Sequence, residues 1–272
     1  MLPYMKSGFA AAFKQPFAVI ALFVYQLAWS LALYKFVQSV VVPLIHRYPG
    51  ADQPRSSVQL FLAEGQFRLL KTDLANSYLW WIVGLLAARM LMTPFLNAAV
   101  YYSLANTQLH AGYRFFKGIK ELTLPFLMYY LIQMAFTLGP LWWLFPKVKG
   151  VLSQHSTFQE AGIALLPWLG AYLVYGYFLH LCFMYLQFAK VTGKGGFRSI
   201  LFFLRYNLWI VGLAVLLLLL SGLLAATAIT ASYIWAGFIA LLIYQFYPIV
   251  KMFIKMWGIA SQFEFWSAKT NS

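Results

Sequence analysis

Residues 208–229 read LWIVGLAVLLLLLSGLLAATAI, a run without a single Lys, Arg, Asp or Glu. It exceeds the roughly 20 apolar residues that carry a helix across a hydrocarbon core. Working outward, comparable stretches occupy about 17–44, 78–105, 122–145, 161–188 and 233–259. The pattern predicts an all-α integral membrane protein with six transmembrane helices. Aromatic residues gather at the expected span ends: Tyr78, Trp80 and Trp81; Trp142 and Trp143; Trp209; Tyr233 and Trp235. Such belts are the ordinary mark of a membrane–water interface.

Composition agrees. Of 272 residues, 62% are hydrophobic and only 10% are charged. Soluble domains carry about 25% charged residues, so too little charge is present to cover a water-facing surface. Net charge is +14. Because the cations flank apolar spans, anionic lipid headgroups are the expected counterpart, and nucleic acid is not. A single cysteine, Cys182, excludes an intrachain disulfide and a cysteine metal cluster; inside its apolar run it reads as a small buried hydrophobe. Lys6 and Lys14 precede an apolar run, Phe17 to Tyr34. That run is longer than the roughly 7–15 residues of a signal-peptide core, so a retained first helix is expected.

Orientation follows from the cations. With both termini inside, twelve of the 20 Lys and Arg residues fall on the cytoplasmic side and six on the outer side; Lys35 and Arg89 lie within spans. Both ends are therefore expected in the cytoplasm, with a bacterial cytoplasmic membrane as the location. The largest outer segment, His46 to Ser77, mixes Val58, Leu60, Phe61 and Phe67 with Glu64, Arg68 and Lys71, which suits a short helix lying on the outer face.

The chain also repeats itself. Gly8-Phe9 with Phe13-Lys14, Gly112-Tyr113 with Ile119-Lys120, and Gly196-Phe197 with Leu204-Arg205 each open a basic amphipathic stretch that leads into a span. Ala105 and Ala189 stand seven residues before the second and third. In the second, Arg114, Lys117 and Lys120 share one helical face, with Phe115, Phe116 and Ile119 largely on the other; in the third, Arg198 and Arg205 oppose Ile200, Leu201 and Leu204. This predicts three tandem repeats, about 1–107, 108–191 and 192–272, each an interfacial amphipathic helix plus two spans. Arg114, Lys117, Lys120, Arg198 and Arg205 would meet lipid headgroups or a protein partner.

On these Gly-aromatic and Lys/Arg motifs the layout resembles a group of bacterial six-helix membrane proteins, and is similar in style to the membrane portion of membrane-bound glycerophosphodiesterases. The resemblance covers the chain in layout and transfers no catalytic residue. A threefold pattern is also similar to mitochondrial carriers, but their Pro-x-Asp/Glu-x-x-Lys/Arg signature is absent: Pro125 is followed by Phe126 and Leu127.

Chemistry is sparse. No His-Glu-x-x-His, Gly-x-Ser-x-Gly or close carboxylate pair occurs, and His46, His110, His155 and His180 lack ligand-like spacing. No metal, cofactor or catalytic residue is expected. Two features stand out. Arg89 lies 11 residues beyond Tyr78, hence about 16 Å into its span, where a cation costs at least about 2.5 kcal/mol and is functional by default. Its partner would be Gln133, a carbonyl freed by Pro94 or Pro140, or a bound anion. Second, Asn97, His180 and Lys251 fall at matching depths on the second span of each unit, about 27–28 Å inward. Arg89, Asn97, His180 and Lys251 are thus the candidate ligand-binding set.

Three readings stay open: a non-enzymatic transport component for an anionic lipid-like or amphipathic substrate, a membrane scaffold recruiting a cytoplasmic or membrane protein partner, and the permease subunit of an ABC exporter.

Overall fold

The computed structural model describes residues 1–47, 74–154, 158–234 and 237–270. The surface helix expected between His46 and Ser77 falls mostly outside the described residues. Eight helices and no strand are present among the described residues: α1 Leu2–Phe13, α2 Pro16–Arg47, α3 Leu74–Ala105, α4 Ala111–Gln154, α5 Phe158–Val191, α6 Gly196–Arg205, α7 Asn207–Ile234 and α8 Phe238–Thr270. Five helices, α2 to α5 and α7, are long and apolar enough to cross a membrane. Only 6–22% of their most apolar windows is buried within the chain, and side chains such as Trp80, Trp142, Leu173 and Leu223 lie open. Apolar surface on that scale belongs in lipid or against other apolar helices, and the chain is an integral membrane protein by this criterion. α8, which carries Lys251, Lys255 and Glu264, is a long helix but is not among the five.

The chain forms two compact units. One comprises 21–93, the other 1–20 with 94–272. The smaller is a helical hairpin, α2 from Ala21 against α3 up to Thr93, in which the Phe36 and Tyr78 rings meet at 6.4 Å.

In the larger unit the core lies where α1, α6 and the beginning of α4 meet the later turns of α3, α5 and α8. Tyr101 meets Phe188 at 5.1 Å, Phe188 meets Phe263 at 5.3 Å, and Tyr185 meets Trp266 at 5.9 Å, linking these three long helices through aromatic rings. Each short or initial segment packs on the long helix before it, and α1 packs on the last. On α8, the Trp257 indole N–H donates to the Met5 carbonyl at 2.9 Å and Gly8 of α1 abuts Ser261, where a Cβ would come 2.5 Å from the Ser261 Cα. On α3, Gly118 of α4 fits against Ala98 and Ala99, where a Cβ would meet the Ala98 carbonyl oxygen at 2.9 Å. On α5, Ser199 of α6 donates to the Tyr185 carbonyl at 2.8 Å.

The three basic segments do not end alike. α1 stops at Phe13 and α2 restarts at Pro16. Proline lacks the N–H that a first helical turn leaves unpaired and pushes the preceding residue out of the α region, so the chain bends there. α6 stops at Arg205 and α7 restarts at Asn207 after Tyr206. The second segment, expected as a separate surface helix near 108–121, is instead continuous with its span: α4 runs 44 residues without interruption, about 66 Å. Nothing breaks it at Lys120-Glu121. Lys117 pairs with Glu121 at 3.6 Å and the Thr123 hydroxyl bonds back to the Ile119 carbonyl, both along the helix across the junction.

Candidate functional site

Arg89 belongs to the hairpin. It is exposed, its guanidinium carbon stands 5.4 Å from the centre of the Trp29 ring, and Thr93 donates to its carbonyl at 2.8 Å. Trp29 is 8% exposed, so the guanidinium lies against a well-packed indole. Among the described residues of the hairpin, 21–47 and 74–93, there is no Asp or Glu. The indole Nε1 of Trp29 and the hydroxyl of Tyr25 are both shut away from solvent with no hydrogen-bond partner among the described residues.

One proposed source of a partner for Arg89 is already used. Pro140 has no N–H for the carbonyl of Phe136, one turn earlier, and the Tyr175 hydroxyl of α5 donates to that carbonyl at 3.0 Å. Tyr172 does the same for Thr137 at 3.0 Å. The carbonyls that proline disturbs in α4 therefore hold α5 in place.

Asn97 is half-buried on α3, while His180 on α5 and Lys251 on α8 are exposed. No hydrogen bond, ion pair or ring contact joins these three among the described residues. The expected ring of three thus exists as positions on three helices and not as a cluster of touching groups.

Of the basic residues, Lys120, Arg198 and Arg205 are exposed. Lys117 is half-buried, tied to Glu121, with its ammonium 5.8 Å from the Tyr113 ring; Arg205 lies 5.6 Å from the Tyr206 ring. Arg114 departs from expectation. It is buried at 4% exposure; one guanidinium nitrogen donates to the Thr107 carbonyl at 3.1 Å and the other to the Lys14 carbonyl at 2.8 Å. Lys14 caps the C-terminus of α1, and Thr107 follows the end of α3. Helix C-termini carry unpaired carbonyls and partial negative charge, which a buried guanidinium neutralises. Arg114 is a clamp between two helix ends and not a headgroup contact.

Sequence reading missed the interior polar pairs. Gln15, Ser103 and Gln262 are buried, and the Tyr185 hydroxyl donates to Gln262 at 2.6 Å while Gln262 donates to the Ile210 carbonyl at 3.2 Å. Their signal was faint: an amide directly before Pro16, and an amide inside the aromatic run that ends α8. No group of three or more potential metal ligands occurs among the described residues. No protein-family model, no curated protein and no solved structure matches the chain.

Proposed function

We propose that this chain is a non-enzymatic transport component for an anionic, lipid-like or amphipathic substrate. The observation that carries the reading is Arg89. A guanidinium exposed on a membrane-spanning hairpin, with an indole beside it and no carboxylate among the hairpin's described residues, needs an anion to be stable in a low-dielectric medium. A transported amphiphile supplies that anion while its chains occupy the apolar surface around it. Asn97, His180 and Lys251 are, on the same reading, further substrate-binding positions, and anionic lipids are the medium and the cargo.

The same reading holds that α8 is a sixth span, that both termini are cytoplasmic, and that the chain is built from three copies of one unit. The packing of α1 on α8, of the start of α4 on α3 and of α6 on α5 supports the last point, since it is one relationship found three times. A bacterial cytoplasmic membrane fits the cation bias and the resemblance in layout to bacterial six-helix proteins.

A scaffold is the second reading. It is favoured by exposed Lys120, Arg198 and Arg205 beside a well-packed core. An ABC permease subunit would require an ATPase partner.

Reconstitution decides among them. Protein in proteoliposomes should accelerate exchange of fluorescent phosphatidylglycerol between leaflets, read by dithionite quenching, and Arg89→Leu should slow it at least several-fold. A rate equal to protein-free vesicles, or an Arg89→Leu variant at the wild-type rate, overturns the transport reading. Stoichiometric capture of an ATPase would replace it with the permease.

A further inference from the structure

The two faces of α1 have opposite surroundings. Met5, Gly8 and Ala12 are buried, and that side is held on α8 by Gly8 against Ser261 and by the Trp257 indole N–H on the Met5 carbonyl. Leu2, Lys6, Phe9 and Phe13, at helical spacing, share the other face, and all are exposed, Phe13 at 64%. The rings there are joined to α8. Phe9 meets Phe13 at 5.0 Å, Phe253 at 5.5 Å and Trp257 at 5.1 Å, and Phe13 meets Phe253 at 5.0 Å. Two helices thus build one edge-to-face cluster of four rings, open on the side of α1.

A helix whose outer side faces water presents polar residues there. α1 presents Leu2, Phe9 and Phe13, with Lys6 among them and exposed Lys14 at its C-cap. No acid occurs in α1 or in the stretch of α8 from Phe253 to Ser261. What covers this face follows from its place in the chain. The apolar stretch that carries α2 across a membrane opens at Pro16, directly after Lys14 and Gln15, so α1 ends at the bilayer surface. Large apolar side chains interleaved with lysines at that level suit rings among the upper acyl chains and ammonium groups beside lipid phosphates.

We propose that the outer face of α1, backed by the Phe253 and Trp257 rings, is seated in an anionic phospholipid leaflet, with Phe9 and Phe13 in the acyl region and Lys6 and Lys14 at the phosphates. This goes beyond the transport reading and is independent of it. The first helix then has two attachments, α8 on one side and lipid on the other, and it ties the last helix of the chain to the bilayer.

The test is fluorescence quenching of the full-length protein in nanodiscs of phosphatidylcholine, alone or mixed equally with phosphatidylglycerol. In a Cys182→Ser background, Phe13→Cys and Leu2→Cys each carry an NBD label on the outer face; Val24→Cys, exposed within the span of α2, is the lipid-facing reference. A monodisperse elution profile checks folding of each. In the anionic discs, doxyl lipid should quench the Phe13 label to within about twofold of the Val24 label, and iodide at constant ionic strength should quench it several-fold less than unattached label. Lys6→Gln with Lys14→Gln should remove at least about half of the doxyl quenching that phosphatidylglycerol adds. Strong iodide quenching without doxyl quenching at both labelled sites overturns the proposal and leaves the face open to a soluble partner. Quenching by neither also overturns it, because protein then covers the face. Doxyl quenching unchanged by phosphatidylglycerol overturns the anionic leaflet as the occupant.

Discussion

Gln15 and Ser103 hold each other through two hydrogen bonds in the buried interior. The Gln15 amide nitrogen donates to the Ser103 carbonyl at 2.9 Å, and the Ser103 hydroxyl donates to the Gln15 amide oxygen at 2.6 Å. Both residues are 1% exposed. Gln15 sits in the turn between α1 and α2, and Ser103 lies in the last turn of α3, where a helix leaves its carbonyls without internal donors. One side chain thus satisfies an orphaned helix end and fixes the bend that Pro16 begins.

Ser103→Ala and Gln15→Leu should each destabilise the protein by about 1–3 kcal/mol, because each strands a buried polar partner. The double variant should lose less than the sum of the two, with a coupling of at least about 0.5 kcal/mol. Unfolding in detergent, followed by circular dichroism, measures all three. Strictly additive losses would show that the two side chains do not act as a pair.

Two glycines should respond in opposite directions to the same substitution. In Gly8→Ala the new methyl meets the backbone of Ser261, so α1 must move off α8; the cost should be about 1–3 kcal/mol. Gly170 has nothing within 4 Å of a built Cβ, and alanine there should be neutral or stabilise by up to about 1 kcal/mol through helix propensity. Equal stability of the two variants would refute the tight α1–α8 contact.

How far the sequence can be read is clear from particular residues. The run 208–229 and its neighbours are legible as membrane helices because length and apolarity alone decide that. The break after α1 depends on Pro16, and its absence after Lys120 on a local ion pair; similar motifs concealed these different endings. Asn97, His180 and Lys251 were placed by counting residues along their spans, but a count does not say which way around a helix a side chain points. Tyr25 and Trp29 passed as ordinary aromatics of an apolar run, because only a neighbouring helix reveals that their polar atoms are enclosed.

Orientation is testable without a structure. In a Cys182→Ser background, single cysteines at Lys6 and Ser153, both exposed, should differ in intact cells. The cation bias places Lys6 inside and Ser153 outside, so an impermeant maleimide should label only the second until the membrane is opened. Equal labelling of both in sealed cells would overturn cytoplasmic termini.

Arg114 and Lys120 lie six residues apart in α4, yet they should separate by function. Arg114 is enclosed, and its guanidinium bridges the carbonyls of Lys14 and Thr107 at two helix ends. Hydrogen bonds from a charged donor are worth about 1.5–3 kcal/mol each, so Arg114→Gln should lower stability by at least about 2 kcal/mol. Lys cannot span both carbonyls from one point charge, so Arg114→Lys should recover only part of the loss. Lys120 is exposed, and Lys120→Gln should leave unfolding within about 0.5 kcal/mol of wild type. Combined with Arg198→Gln and Arg205→Gln, it should instead reduce the salt-sensitive stabilisation gained on adding phosphatidylglycerol, because those three cations remain free to meet headgroups. The measurement is the melting temperature of each variant in neutral detergent, with and without that lipid, at low and high salt. Should Arg114→Gln melt like wild type and lose only the lipid response, Arg114 faces the headgroups after all and the clamp between α1 and α3 is wrong.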